Sequence, residues 1–231
     1  MSSSPVIEAR GLVKRMPSGE RLLTILEGID LGIEAGELVA VLGPSGSGKS
    51  TLLALLAGLD RPTEGTVCLD GTELAGLGED ELALVRRRRV GFVFQSFQLL
   101  PNLTAFENVA LPLELTGIPD ANERATKVLG EVGLAARRDH YPAQLSGGEQ
   151  QRVAVARAFA GEPSVLFADE PTGNLDGSTG ERVLELLLDL RARHGTTLVL
   201  VTHDPKIAAR AERRVHLRDG RLERDERNQD A

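Results

Sequence analysis

The stretch Gly43–Thr51, GPSGSGKST, decides how the rest of the chain is read. It fits G-x-x-x-x-G-K-[ST], the spacing of a loop that wraps a polyphosphate. Before it, Leu38–Leu42 (LVAVL) is a short apolar, β-branched run suited to a buried strand. After it, Leu52–Leu59 (LLALLAGL) suits a helix packed under a sheet. Strand, glycine loop and helix in that order are the context the motif needs. Gly43, Gly46 and Gly48 carry no Cβ, so the backbone can take positive φ and turn successive N–H groups inward as an anion nest. A helix starting near Lys49 adds roughly half a positive charge at its N-terminus. Lys49 is expected to reach the β- and γ-phosphates, and the Ser50 hydroxyl to ligate Mg²⁺. All nine residues, Gly43, Pro44, Ser45, Gly46, Ser47, Gly48, Lys49, Ser50 and Thr51, are therefore expected to bind nucleotide.

A chain of 231 residues can bury roughly 70–75% of the surface its unfolded form exposes, so one large domain with a possible inserted lobe is expected. Hydrophobic content of 41% is ordinary for a globular protein. The net charge of −7 argues against general nucleic-acid binding. MSSSPVIEAR lacks a cationic start followed by an apolar core, and no apolar run approaches the roughly 20 residues that span a bilayer. A cytoplasmic protein is the expectation. The single cysteine, Cys68, excludes an internal disulfide framework and is expected to be a buried strand thiol.

Taken in order, Ser2–Ser4 read as frayed, and Val6–Arg15 and Ile25–Ile33 as antiparallel strands. Thr66–Leu69 is a further strand, ended by the Asp70-Gly71 turn. Glu79–Arg89 reads as a helix with acids early and arginines late. For its Arg86–Arg89 run two readings stand, a solvated helix end or contact with an anionic partner. Val90–Phe94 is a strand ending at Gln95. From there to about residue 134 the pattern is helical, punctuated by Pro101, Pro112, Gly117 and Pro119, with a capping box at Thr104 and Glu107. Four of the six phenylalanines fall between Phe92 and Phe106, as core or as a docking surface. Helices over Glu149–Ala160 and about Ser178–Arg193 alternate with strands Val165–Ala168 and Leu198–Thr202. A hairpin follows through Asp219-Gly220. The stretch from Glu223 is almost wholly polar and is expected to be disordered. The whole is an α/β chain with a mainly parallel sheet.

A second group of chemistry lies downstream. Val165–Glu170 (VLFADE) is an apolar strand ending in two acids, where open α/β sheets bind ligands. Asp169 is expected to hold Mg²⁺ and Glu170 to act as the base on the attacking water. His203 closes another apolar strand and is expected to contact the γ-phosphate, whereas His140, His194 and His216 read as structural. In Leu145–Arg152 (LSGGEQQR), Ser146 and Glu149 form a capping box, and Gly147 and Gly148 leave the first helical N–H groups uncovered. The result is a second anion-binding helix end. One nucleotide needs one such cradle, so this one is expected to face the nucleotide of another copy.

On GPSGSGKST, Gln95, LSGGEQQR, VLFADEP, Gly173-Asn174-Leu175-Asp176 and His203, the chain resembles the ATP-binding cassette (ABC) ATPases over about residues 5–222. FVFQSFQLLPNLTAFENVALPL and FADEPTGNLDGSTG look like the MacB/LolD/FtsE group, closest to its YbbA-like branch. The resemblance implies a P-loop NTPase fold with an antiparallel β front, an inserted helical subdomain over about 96–160 and a tail over 223–231. It implies a hydrolase for ATP with Mg²⁺, working as a head-to-tail dimer with two ATP molecules sandwiched between loop and signature helix. Its partner would be a permease of the FtsX/MacB type, which would hold the chain on the inner face of the cell membrane. By the same resemblance Gln95 would join Mg²⁺ and Asp176 would lie at the dimer seam. The work would be export or extraction of a substrate, or force transmission across the membrane. The alternative is a soluble ABC ATPase acting on nucleic acid; against it, such relatives carry a long coiled coil between loop and signature or two cassettes in one chain, whereas this sequence shows one cassette and no heptad run there. One departure stands out: relatives stack adenine on an aromatic residue at the position of Met16, and here no aromatic residue precedes Phe92. Met16, or the stem of Arg15, is expected to cover the base.

Overall fold

A computed structural model describes residues 5–19 and 21–228, so the expectations for Ser2–Ser4 and for 229–231 lie outside the described residues. The chain begins with β1 (Ile7–Ser18), β2 (Arg21–Ile33), β3 (Leu38–Leu42), α1 (Lys49–Leu56), β4 (Glu64–Leu69), β5 (Thr72–Glu73) and α2 (Glu79–Arg89). Next come β6 (Val90–Phe94), α3 (Ala105–Leu115), α4 (Ala121–Glu131), single 3-10 turns at Ala135–Arg137 and Pro142–Gln144, and α5 (Gly147–Phe159). The remainder is β7 (Val165–Asp169), α6 (Gly177–His194), β8 (Thr197–Val201), α7 (Pro205–Ala208), β9 (Arg213–Arg218) and β10 (Arg221–Arg227). These elements fall into two compact units, one up to Arg86 and again from Thr197, the other Arg87–Thr196.

In the first unit an antiparallel sheet runs in the order β2-β1-β4-β5. Asp70 and Gly71, both at positive φ, turn β4 into β5 as a two-residue hairpin requires. The strand before the glycine loop, β3, lies between two parallel neighbours, β8 and β9, and Leu38, Val39, Ala40 and Val41 are buried. A strand buried on both faces needs an unbroken apolar run, which LVAVL supplies. On α1, Leu52, Leu53, Leu55 and Leu56 are buried. The alternation of β4 puts Val67 and Leu69 inside and leaves Cys68 on the other face, half-buried rather than buried as expected.

The stretch expected to be disordered from Glu223 is instead strand β10, antiparallel to β9 through Arg227. Its acids are used: Arg213 grips Asp225 through two bonds at 2.6 and 2.7 Å, and also reaches Glu37 at 3.4 Å and the Gly32 carbonyl at 2.7 Å. This network holds Asp225 below the usual carboxylate range, chiefly through its hydrogen bonds to Arg213.

In the second unit β6 pairs in parallel with β7, from Val90 opposite Val165 to Phe94 opposite Asp169. That register brings Gln95 and Glu170 out of neighbouring strand ends. The Thr104–Glu107 capping box starts α3, and Pro112 falls inside that helix rather than ending it. Thr116 returns a hydroxyl bond to the Pro112 carbonyl at 3.1 Å. Helix α6 buries Val183, Leu184, Leu187 and Leu190, one face at helical spacing, and Gly195 caps it at φ 65°.

Candidate nucleotide site

The loop between β3 and α1 is a cradle closed from one side. Gly48, at φ 99°, is the N-cap of α1 and brings no side-chain acceptor, so the first helical N–H groups are not capped by it. A Cβ there would lie 2.7 Å from Leu26 Cδ2 and 3.0 Å from the Ile25 carbonyl, so no other residue fits. The turn between β9 and β10 braces the loop: the Gly220 N–H donates to the Ser47 carbonyl at 3.2 Å. Ser47 itself is 3% exposed and its buried hydroxyl has no hydrogen-bond partner. Lys49 Nζ donates to the carbonyls of Gly43 and Pro44 at 2.9 and 2.8 Å. Among the described residues no carboxylate lies within ion-pair distance of it. A cation satisfied only by neutral carbonyls, beside uncapped helical N–H groups, suits a polyphosphate. Ser50 is exposed in the first turn of α1.

His203 follows β8 in the same unit and is exposed. Asp204 after it caps α7 by accepting from the Lys206 N–H at 2.8 Å. Met16 lies on β1 opposite Leu23 of β2, with the two side chains 47% and 54% exposed. That pair is an apolar surface without a ring.

The second unit carries the remaining expected residues. Asp169 ends β7, and Glu170 follows at φ 47°, a left-handed setting that side chains other than glycine seldom adopt. Gln95 is exposed beyond β6, held by Asn174 in a reciprocal pair: Gln95 Nε2 donates to Asn174 Oδ1 at 3.2 Å, and Asn174 Nδ2 returns to the Gln95 carbonyl at 2.9 Å. Sequence reading named the Asn174 loop but gave that residue no task.

At the start of α5 the capping box is present. The Glu149 N–H donates to Ser146 Oγ at 3.3 Å, while the Ser146 N–H and hydroxyl both donate to Glu149 Oε2 at 2.8 Å. Arg137 donates to Glu149 Oε1 at 3.1 Å. The backbone and hydroxyl bonds from Ser146, with Arg137 adding to them, hold the Glu149 carboxyl down to about 2. An acid therefore sits at this helix start with its charge turned back and neutralised, and among the described residues no side chain accepts from the N–H groups of Gly147 and Gly148. A Cβ on Gly148 would collide with Thr179 Cγ2 of α6. Asp176 is the N-cap of α6, accepting from the Thr179 N–H at 3.1 Å and the Ser178 hydroxyl at 2.9 Å, and these bonds hold its carboxyl down to about 2.

Two side chains that sequence reading passed over also bond around these loops, Gln151 and Arg157 of α5. Neither bond leaves a local pattern, because each runs to a backbone carbonyl far along the chain. Among the described residues no helix is long and apolar enough to cross a membrane.

A family model described as "ABC transporter" matches residues 26–173. The chain is 52% identical to the "Uncharacterized ABC transporter ATP-binding protein YbbA" of Escherichia coli (strain K12), over 97% of this chain and 100% of that one. It is 47% identical to the "Lipoprotein-releasing system ATP-binding protein LolD" of Alcanivorax borkumensis, over 96% of this chain and 99% of that one. It is 50% identical to the "Macrolide export ATP-binding/permease protein MacB 1/2" of Paracoccus denitrificans, over 98% of this chain and 34% of that longer one. A solved structure, a dimeric post-hydrolysis state of the ATP-binding cassette MJ0796 bound to ADP and Pi, superposes with a TM-score of 0.88 at 44% identity, covering 96% of this chain and 98% of that one. The glycine loop over an uncapped helix, the capped LSGGEQQR helix and these relatives lead to one assignment: the chain belongs to the ABC transporter family, as an ATP-binding cassette of the group that contains YbbA, MacB and LolD.

Proposed function

We propose that this chain is the ATP-hydrolysing subunit of an ABC transporter and drives a membrane permease of the FtsX/MacB type for export or extraction of a substrate. The observation that carries the reading is the presence of two anion-receptive helix starts on one chain, α1 after Gly48 and α5 after Ser146. A head-to-tail pair of copies would use both, with ATP bound by Gly43–Thr51 of one copy and by Ser146–Gly148 of the other. The MJ0796 cassette, dimeric with ADP and Pi, supports that arrangement.

Each residue then has a task. Lys49 leaves its two carbonyls for the β- and γ-phosphates, and the N–H groups at the start of α1 hold the phosphate oxygens. Met16 covers the base. Mg²⁺, with Ser50, Gln95 and Asp169 as its protein partners, would neutralise charge on the phosphates when bound. Glu170 accepts the proton of the attacking water, His203 donates toward the γ-phosphate, and the partner's Ser146 completes the cage. Asp176 caps α6 close to the seam. ATP thus joins two copies and its hydrolysis releases them, which is how phosphate chemistry would become motion in a permease. The half-buried Phe97 and the exposed Leu100 beyond Gln95 are where a cytoplasmic permease segment would dock.

Reconstituting the chain with a permease of this type in vesicles tests the reading. Hydrolysis should be stimulated severalfold and a stable complex should form; absence of both would reject the permease assignment.

A further inference from the structure

Helix α5 grips the chain on both sides of Gln95. Upstream, Gln151, fully buried, donates from Nε2 to the Phe94 carbonyl at 3.3 Å and also to the Pro171 carbonyl next to Glu170. Downstream, Arg157 donates from its two terminal nitrogens to the Gln98 carbonyl at 2.6 Å and the Phe97 carbonyl at 3.1 Å. Phe97 and Gln98 stand at φ 54° and 49°, consecutive left-handed positions without a glycine. Such a pair is sterically unfavourable and persists only where the surroundings over-determine it. The Phe97 ring also lies against the start of α5, 3.7 Å from where a Cβ on Gly147 would stand.

Among the described residues no carboxylate lies within ion-pair distance of Arg157. Burial pushes its guanidinium below the ordinary arginine value, so its charge is balanced mainly by those two carbonyl dipoles. A surface arginine would not give up its hydration for two neutral acceptors unless the geometry held it there.

We propose that Arg157 is a positioning residue for Gln95: its guanidinium clamps the left-handed Phe97–Gln98 turn to α5, so that the helix whose start faces the partner's nucleotide and the glutamine that faces this copy's own nucleotide move as one piece. The proposal rests on the nucleotide-facing role given above to Gln95 and α5. Its content is that the clamp, rather than Gln95 alone, sets the hydrolysis rate.

The test is steady-state hydrolysis of Mg-ATP by the full chain, with Gln95→Ala as a reference. Arg157→Gln should lower kcat roughly tenfold or more while the KM for ATP moves less than about twofold, because a displaced Gln95 affects the reacting geometry more than binding. The half-saturating Mg²⁺ concentration should rise with it, a readout that simple loss of packing would not move. Arg157→Lys should recover only part of the rate, because an ammonium is a single point charge and cannot bridge both carbonyls as a planar fork does. Adding Gln98→Gly to Arg157→Gln should restore at least about threefold of the lost kcat, since glycine takes the left-handed setting without a clamp. Should Arg157→Gln lose its melting transition, Arg157→Lys with and without Gln98→Gly decides the matter by the same recovery. Wild-type kcat in a folded Arg157→Gln, or no recovery with Gln98→Gly, overturns the clamp. If Gln95→Ala keeps full activity, the role of Gln95 fails and the clamp with it; if Gln95→Ala is impaired while Arg157→Gln is not, the clamp alone fails.

Discussion

Glu170 emerges from β7 at φ 47°, a setting that costs about 1–3 kcal/mol for a residue with a side chain. Strain of that kind, on the residue assigned to the attacking water, fits a position selected for aim over stability. Replacing it with glutamine keeps size and geometry but removes the proton acceptor. Glu170→Gln should bind ATP with near-native affinity and lose at least about 10²-fold in kcat; rapid turnover by the variant would take Glu170 out of the base role. Met16 argues a second case. A thioether beside Leu23 offers apolar contact to any purine but no ring to stack. ATP and GTP should therefore compete within a few-fold of each other, and Met16→Tyr should shift the ratio toward ATP; a strong ATP preference in the wild-type chain, measured by competition binding, would reject the idea. Residues of this kind are legible in sequence because phosphate chemistry demands fixed types at fixed spacing. Asn174, Gln151 and Arg157 were not legible, since a side chain that bonds a distant backbone carbonyl imposes no spacing on its neighbours.

At the scale of elements, the start of α5 gives a pH-dependent prediction. Glu149 is held at about 2 in the folded chain, against 4.5 ordinarily, mainly by its bonds to Ser146. A carboxylate depressed on folding contributes stability that is present above its unfolded pKa and is lost as pH falls through the folded one. The contribution is thus complete above about pH 4.5 and disappears between there and pH 2. Ser146→Ala removes the hydroxyl cap, at about 1 kcal/mol near neutral pH, and lets the Glu149 carboxyl rise part of the way toward its ordinary value, since the backbone N–H of residue 146 still donates to it. The loss of melting temperature on acidification below pH 4.5 should then be shallower in the variant than in the wild type; parallel curves would show that the cap does not govern this carboxyl. The capping boxes at Thr104 and Ser146 were readable because a capping box is a four-residue pattern. Strand β10 was not, because composition alone counts the six charged residues of RLERDER, all but Leu222, as solvent-seeking. What supports the strand is Arg213, half-buried at the start of β9, whose pairing with Asp225 of β10 is a cross-strand property. The half-buried Cys68 failed for a simpler reason: in β4 the inward face is fixed by Val67 and Leu69, and a period of two puts their neighbour outside.

At the scale of the whole molecule, the proposed function makes the glycine loop half of a site, and that division can be tested without any permease. In a head-to-tail dimer each ATP takes the loop of one copy and the α5 start of the other. Lys49→Ala should abolish hydrolysis through the loop, and Gly148→Asp should abolish it through the α5 start, where an added side chain meets Thr179 and an added charge opposes phosphate. Each variant alone should be inactive. Mixed in equal amounts with exchange of subunits, half of the dimers pair one variant with the other, and each such pair rebuilds one site from the intact loop of the Gly148→Asp copy and the intact α5 of the Lys49→Ala copy. One site in four is then whole, so activity should return to at most about a quarter of the wild-type value. The recovered rate should grow with total protein concentration, as association requires. If loop and α5 served the same nucleotide within one copy, every site in the mixture would carry a lesion and mixing would restore nothing.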